Sequence, residues 1–283
     1  MRETLEKPSV PKSLRFLYYN RLGAPTLRLL TSRWVSKLVG SYMDGRLSKH
    51  KIKKYVKKHG IVMSDYIDED YKSFNAFFTR RIKPELRPFD FAPEALCSPC
   101  DGKLSAYRIT EDLKFNAKGF DYDINTLLGN SELASEFMGG VCLVFRLCVT
   151  DYHRYMFFDG GIASGNKFIK GRLHTVQPAA LEKRRVFTEN CREITELDTD
   201  NFGKAVQVEI GAMMVGRIVN DVKSGRFERG MEKGRFEFGG STVILLLQKD
   251  KAEVDEEFFQ NTSFDLETIV KCGERIGVAA QSK

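Results

Sequence analysis

Residues 233–249 read KGRFEFGGSTVILLLQK, and the stretch from Gly239 to Leu247 decides how the rest of the chain is read. Thr242-Val243-Ile244-Leu245-Leu246-Leu247 is an uncharged run of strand formers, the pattern of a buried strand. Ahead of it stand Gly239 and Gly240, whose lack of a Cβ opens backbone geometries closed to other residues and leaves the Gly240 carbonyl unshielded. A serine hydroxyl held beside its own preceding carbonyl is a candidate for self-cleavage. The plainer alternative is a glycine bulge or turn leading into a core strand.

Outward from this strand, the chain after about residue 95 keeps one texture. Segments rich in Val, Ile, Phe and Tyr at 103–109, 141–149, 154–158, 161–166, 171–176, 205–210, 214–219 and 242–248 alternate with Gly, Asn and Asp turns. That pattern predicts a hairpin-rich β domain, with short helices or turns at 182–185 and 255–259. Residues 14–58 differ. Leu14, Leu17, Tyr18, Leu22, Leu27, Leu30, Trp34 and Leu38 recur at three- and four-residue steps, which predicts two helices divided at Pro25. The fold class expected is α+β: a predominantly antiparallel β domain over 61–283 behind a basic amphipathic helical region over 1–60.

The net charge of +7 is unevenly spread. Residues 14–58 carry twelve Lys and Arg against one acid, Asp44, so the residues after 58 sum to −5. An apolar stripe with Trp34 flanked by basic residues suits a helix lying in a membrane interface, and equally a helical pair packed on its own domain with a solvated basic face. No nucleic-acid partner is expected, because the aromatics lie on the apolar stripe and no zinc-finger or RNA-binding signature accompanies them. Six scattered cysteines without a secretory signal point to a reducing, cytosolic setting. Cys97-Ser-Pro-Cys100 is half of a zinc pattern with neither a second pair nor a nearby histidine, so no metal is expected. No apolar run approaches the ~18 residues of a membrane span.

Three further segments carry residues suited to chemistry. SPCDGKL at 98–104 places Asp101 on a turn at the start of a strand, Asp151-Tyr152-His153-Arg154-Tyr155 places a histidine past an apolar strand, and GAMMVG at 211–216 is a small-residue turn. Aspartate, histidine and serine at separated strand ends can meet in a fold, although chain order alone does not make a triad.

Together these segments resemble the phosphatidylserine decarboxylase family. The resemblance begins at Phe74-Asn75-Ala76-Phe77-Phe78-Thr79-Arg80-Arg81 and runs through Arg87-Pro88, SPCDGKL and DYHRY. It continues through Gly171-Arg172-Leu173-His174-Thr175-Val176-Gln177-Pro178, GAMMVGRI, Lys233-Gly234 to Thr242, and Gly273-Glu274-Arg275-Ile276-Gly277. About 200 residues are covered, in family order.

The resemblance implies self-cleavage between Gly240 and Ser241 into a β chain of residues 1–240 and a 43-residue α chain, 241–283. Ser241 would attack the Gly240 carbonyl, aided by a histidine oriented by Asp101, and end as a covalent pyruvoyl group. That cofactor would form a Schiff base with phosphatidylserine and accept electrons as CO₂ leaves, giving phosphatidylethanolamine. The partner implied is phosphatidylserine in an anionic membrane surface, with the protein peripheral on the cytoplasmic face of the cell membrane. The two chains of one precursor would stay together, and a homodimer is compatible with this.

One departure matters. Where members commonly read DYHRxH, this chain has Met156, so the base falls to His153 or His174, with His153 also serving substrate protonation. Two alternatives stand beside this reading: a pyruvoyl decarboxylase of a soluble amino acid, and a membrane-binding relative that no longer matures.

Overall fold

A computed structural model of the chain describes residues 2–6, 10–213, 217–239 and 241–280. The strands that build the site are β1 (Gly102–Arg108), β2 (Val141–Leu147), β3 (Arg154–Met156), β4 (Arg192–Thr199), β5 (Gly203–Gly211), β6 (Ile218–Asn220), β7 (Glu232–Phe236) and β8 (Ser241–Leu247). Among the described residues the main sheet has ten strands, all paired antiparallel, with β1, β2, β8, β5 and β4 side by side at its centre. This is the α+β architecture the hydrophobic pattern called for.

β8 lies between β2 and β5, paired along its whole length on both sides. Its alternation feeds two cores. Ile244 and Leu246 enter one with Val144, Val206, Val208 and Ile210, while Val243, Leu245 and Leu247 enter the other with Leu143, Phe145 and Phe202. A strand buried on both faces needs apolar residues at every step, which is why 243–247 shows no polar alternation.

Among its described residues the N-terminal region holds four α-helices rather than two: α1 (Lys12–Tyr19), α2 (Ala24–Leu30), α3 (Arg33–Asp44) and α4 (Lys51–His59). Pro25 does not break a long helix; it sits in the first turn of α2, where its missing N–H costs nothing. The further break comes at Ser32, whose hydroxyl accepts from the Val35 amide at 3.5 Å as the N-cap of α3. Helices α3 and α4 meet the short helix α5 (Phe74–Phe78) in a third core of Met43, Phe74, Phe77 and Phe78, against which Phe238 packs.

Two sequence expectations differ from the fold. Residues 171–176 form no strand; Arg172 makes only an isolated parallel bridge to Asn190. Conversely, Arg192–Thr199 is an eight-residue strand carrying Glu193, Glu196 and Asp198, whose charges break the apolar pattern. The expected segment 214–219 is described only in part: its last residues enter β6, while Met214, Val215 and Gly216 lie outside the described residues, as does Gly240.

Candidate active site

Antiparallel pairing brings four strand termini to one edge of the sheet. β1 starts at Gly102, β2 ends at Leu147, β8 starts at Ser241 and β5 ends at Gly211. Ser241 lies opposite Leu147 on one side and Gly211 on the other. Asp101 immediately precedes β1, and His153 immediately precedes β3 after the turn that leaves β2.

Ser241 is buried, at 1% exposure, and its Oγ has no hydrogen-bond partner among the described residues. The chain reaches it through Gly239, whose φ of 137° belongs to the region that favours glycine. The arm before Ser241 is held from two directions. Phe238 stands edge-on to Phe74 at 4.9 Å and to Phe78 at 5.3 Å, and its amide donates to Asn75 Oδ1 at 3.0 Å. One strand earlier, Lys233 Nζ donates to both Glu209 carboxylate oxygens and to Asn220 Oδ1, each at 2.9 Å, with Lys233 and Glu209 fully buried. Burial pushes the Glu209 carboxyl up and the Lys233 amine down, the Coulombic pull of each on the other opposing it.

His153 is also 1% exposed, with its ring 4.2 Å from that of Phe78 and its carbonyl accepting from the Phe236 amide at 2.9 Å. Its Nδ1 lies 2.8 Å from the Asp151 carbonyl oxygen. A carbonyl can only accept, so Nδ1 carries the proton and Nε2 presents a lone pair. That Nε2 has no partner among the described residues. Desolvation lowers the His153 pKa to about 3, with Arg80 and Lys103 pushing in the same direction, so the imidazole is neutral at pH 7. The hydroxyl of Ser241 and the bare nitrogen of His153 are thus two orphaned, buried groups of complementary character, one able to donate and the other to accept. Buried polar atoms without partners are rare enough to call for an explanation.

Asp101 is turned to other partners. Its carboxylate accepts from Arg87 Nε at 2.7 Å and Nη2 at 2.6 Å, and from the Cys272 amide at 2.9 Å. Its influence on His153 is through space, raising the pKa against the larger desolvation. The imidazole is oriented instead by the Asp151 carbonyl. The carboxylate of Asp151 holds that turn by accepting from both Lys103 Nζ, at 2.6 Å to each oxygen, and the Cys148 amide at 2.6 Å.

His174 sits under α1 rather than on a strand. Its Nδ1 is 3.2 Å from the Tyr18 hydroxyl and its Nε2 3.5 Å from Glu189. Burial lowers its pKa to about 4, against the pull of Glu189. A path of contacts does lead from it to the sheet edge: Asn190 Nδ2 donates to the His174 carbonyl at 2.9 Å and to the Gly211 carbonyl at 2.8 Å.

Arg87, Lys103, Asp151 and Asn75 escaped the sequence reading as site residues. Each lies within a quoted segment; for Arg87, Lys103 and Asp151 the available signal was a charge inside an otherwise apolar or turn motif, and for Asn75 an amide within the aromatic run 74–78. Arg80, at 2% exposure, has no carboxylate partner among the described residues and stacks on Tyr66 and Phe77.

The family model described as phosphatidylserine decarboxylase matches residues 74–278. The chain is 42% identical over 274 residues to phosphatidylserine decarboxylase proenzyme 2 of Clostridium acetobutylicum, covering 96% of this chain and 94% of that protein. It is 41% identical to the phosphatidylserine decarboxylase proenzyme of Clostridium perfringens, covering 94% and 92%. It is 39% identical to that of Ruminiclostridium cellulolyticum, covering 96% and 93%. With the motifs in family order and the match spanning most of its length, the chain belongs to the phosphatidylserine decarboxylase family.

Proposed function

We propose that this chain is a precursor that cuts itself between Gly240 and Ser241, gains a pyruvoyl group at residue 241, and then decarboxylates phosphatidylserine to phosphatidylethanolamine at a membrane surface. The observation that carries the reading is the Ser241 hydroxyl at the first position of β8, buried and without a partner among the described residues, in a chain of this family. His153, neutral and with a bare Nε2, supports it as the base.

In the first step Ser241 Oγ bonds to the Gly240 carbonyl carbon while His153 Nε2 takes the hydroxyl proton. The C–N bond breaks, and the freed amine takes up that proton, leaving an ester. Tethering supplies the geometry, worth effective molarities on the order of 10⁵–10⁸ M. Loss of the Cα proton of residue 241 expels the Gly240 carboxylate and leaves dehydroalanine, which takes up water and releases ammonia. The site fits the product, because no other described residue holds the Ser241 side chain and glycine precedes it at 239 and 240. Once present, a pyruvoyl group supplies an electron sink for the charge left as CO₂ departs. The protein's part is to keep that end of β8 dry and fixed between β2 and β5, and to hold a proton carrier, His153, beside the sheet edge.

The helical region suits the bilayer. Leu22, Leu29, Trp34, Leu38 and Leu47 are exposed among the basic residues of 14–58. Among the described residues no helix is long and apolar enough to cross a membrane. An apolar stripe with a polybasic stretch supplies two signals for peripheral anchoring, here to the anionic cytoplasmic face.

Intact-mass analysis of purified protein tests the proposal. The expected result is a fragment of residues 241–283 beginning with pyruvoyl, together with CO₂ release from phosphatidylserine. A single uncut chain with unmodified Ser241 would overturn it in favour of a relative that does not mature. Turnover of free amino acids without lipid would instead select a soluble substrate.

A further inference from the structure

A cavity of about 440 Å³ opens between α3 and the sheet edge beside β4, within the size range of small-ligand sites, roughly 300–1,000 Å³. One wall is α3, presenting Arg33, Ser36 and Lys37. The opposite side includes Phe168, Cys191 and Glu237. Cys191 adjoins the proposed reaction centre: its carbonyl accepts from the Gly211 amide at 3.0 Å, and Gly211 lies opposite Ser241. Two strand spacings of about 4.8 Å therefore separate this wall from residue 241.

The charges on the two sides are not equivalent. The acids of the cavity are engaged: Glu237 and Asp44 face Arg217 at 3.0 and 4.0 Å, and Glu193 accepts from Asn220 at 2.7 Å. Arg33 and Lys37, one helical turn apart, have no carboxylate partner among the described residues, and the Arg33 guanidinium rests 5.3 Å over the ring of Phe168. Between them Ser36 is 7% exposed, and its Oγ has no partner among the described residues. Two cations without a direct carboxylate partner among the described residues, flanking a desolvated, unsatisfied hydroxyl, are matched by a ligand bearing one negative charge and several acceptor oxygens.

We propose that this cavity binds the phosphodiester of the glycerophospholipid substrate. Arg33 and Lys37 neutralise it, Ser36 Oγ donates to one of its oxygens, and Phe168 with Leu173 shelters the glycerol ester beyond. This rests on the reading that the substrate amine reacts at residue 241. In a serine phosphodiester four bonds of about 1.5 Å join the amine nitrogen to phosphorus, roughly 5 Å in all. An amine at residue 241 thus brings the phosphate towards the cavity, within reach of the long α3 side chains.

The test uses the full-length protein and lipids that need no interface. Dihexanoylphosphatidylglycerol, an amine-free phosphodiester kept below its micelle concentration, is titrated calorimetrically into wild type, Arg33→Gln/Lys37→Gln and Ser36→Met. Both variants are expected to bind at least tenfold more weakly. With soluble dihexanoylphosphatidylserine, KM is expected to rise about tenfold and kcat to stay within twofold, with complete self-cleavage as the folding control. Unchanged affinity and KM for the soluble lipids, with only vesicle binding reduced, would overturn the proposal and make Arg33 and Lys37 simple membrane-surface cations. Inorganic phosphate competing as well as the lipid would likewise overturn it, marking a free-phosphate site. A wild-type protein that binds the soluble lipid in an Arg33- and Lys37-dependent way but releases no CO₂ would uphold the cavity while removing the decarboxylase reading.

Discussion

At the scale of single residues, His153 sets the expectations that are sharpest. Its Nδ1 proton is fixed by a main-chain carbonyl and its pKa is lowered to about 3 by burial, so it remains a base well into acid. Self-cleavage of freshly refolded precursor is therefore expected to show no loss of rate through pH 6.5, where an ordinary histidine titrates. Time courses at intervals between pH 5 and 8 on denaturing gels check this. His153→Ala is expected to slow processing by about 10²–10⁴-fold, the range of a lost general base. His174→Ala is expected to mature, because that ring is engaged with Tyr18 and Glu189. The same burial has a thermodynamic side. An unfolded chain takes up protons near pH 6.5 while the folded His153 does not until about pH 3, so stability is present above 6.5 and is lost as pH falls through that window. At pH 5 this amounts to about 2 kcal/mol from His153, with His174 acting in the same direction. A set of urea midpoints across pH 5–8 reads it directly.

At the scale of elements, the pair Lys233–Glu209 ties β7, the strand leading to the proposed cut, to β5, the neighbour of β8. Lys233→Met leaves a buried carboxylate without its cation and is expected to cost about 3–5 kcal/mol. Lys233→Met/Glu209→Leu is expected to recover most of that, as removal of both partners from a buried site commonly does. Denaturant titration of the Ser241→Ala background compares them without interference from processing. Elements also show what could be read from sequence. β8 was legible because burial on both faces demands unbroken apolar residues. β4 was not, because a strand lying beside β6 and the short helix Ile124–Leu128 can carry Glu193 into a contact with Asn220 and bury Arg192 by donating to the carbonyls of Leu127 and Thr126. The Asp101–His153–Ser241 set was legible as three motifs near strand ends. That Asp101 faces Arg87 and that Asp151 orients the imidazole was not, because those choices are made by turns whose geometry no spacing encodes.

At the scale of the whole molecule, an acidic β body carries a basic helical head packed onto it through Met43 and α5. Each Lys or Arg near an anionic surface contributes about 1 kcal/mol, a contribution that added salt screens. Sedimentation with anionic vesicles is expected to capture the protein at about 0.1 M salt and release much of it at about 0.5 M. Neutral vesicles are expected to capture little. Trp34→Ala/Leu38→Ala is expected to weaken capture at unchanged charge, which separates the apolar from the electrostatic contribution.

The position of β8 has one more consequence, for the order of the folding reaction. Before cleavage the chain folds as one polymer. After the proposed cut, residues 241–283, which hold β8, the strand Glu267–Val270 paired with β1, and the strand Arg275–Ala279 paired with Ala95–Cys97, would form a separate molecule seated mid-sheet. Unfolding releases two solutes, and recovery becomes a second-order encounter. Refolding yield of the mature protein is expected to rise with protein concentration under denaturant dilution, whereas uncut Ser241→Ala is expected to recover independently of it. Maturation thus makes assembly a step taken once per molecule, after which persistence rests on the slowness of unfolding.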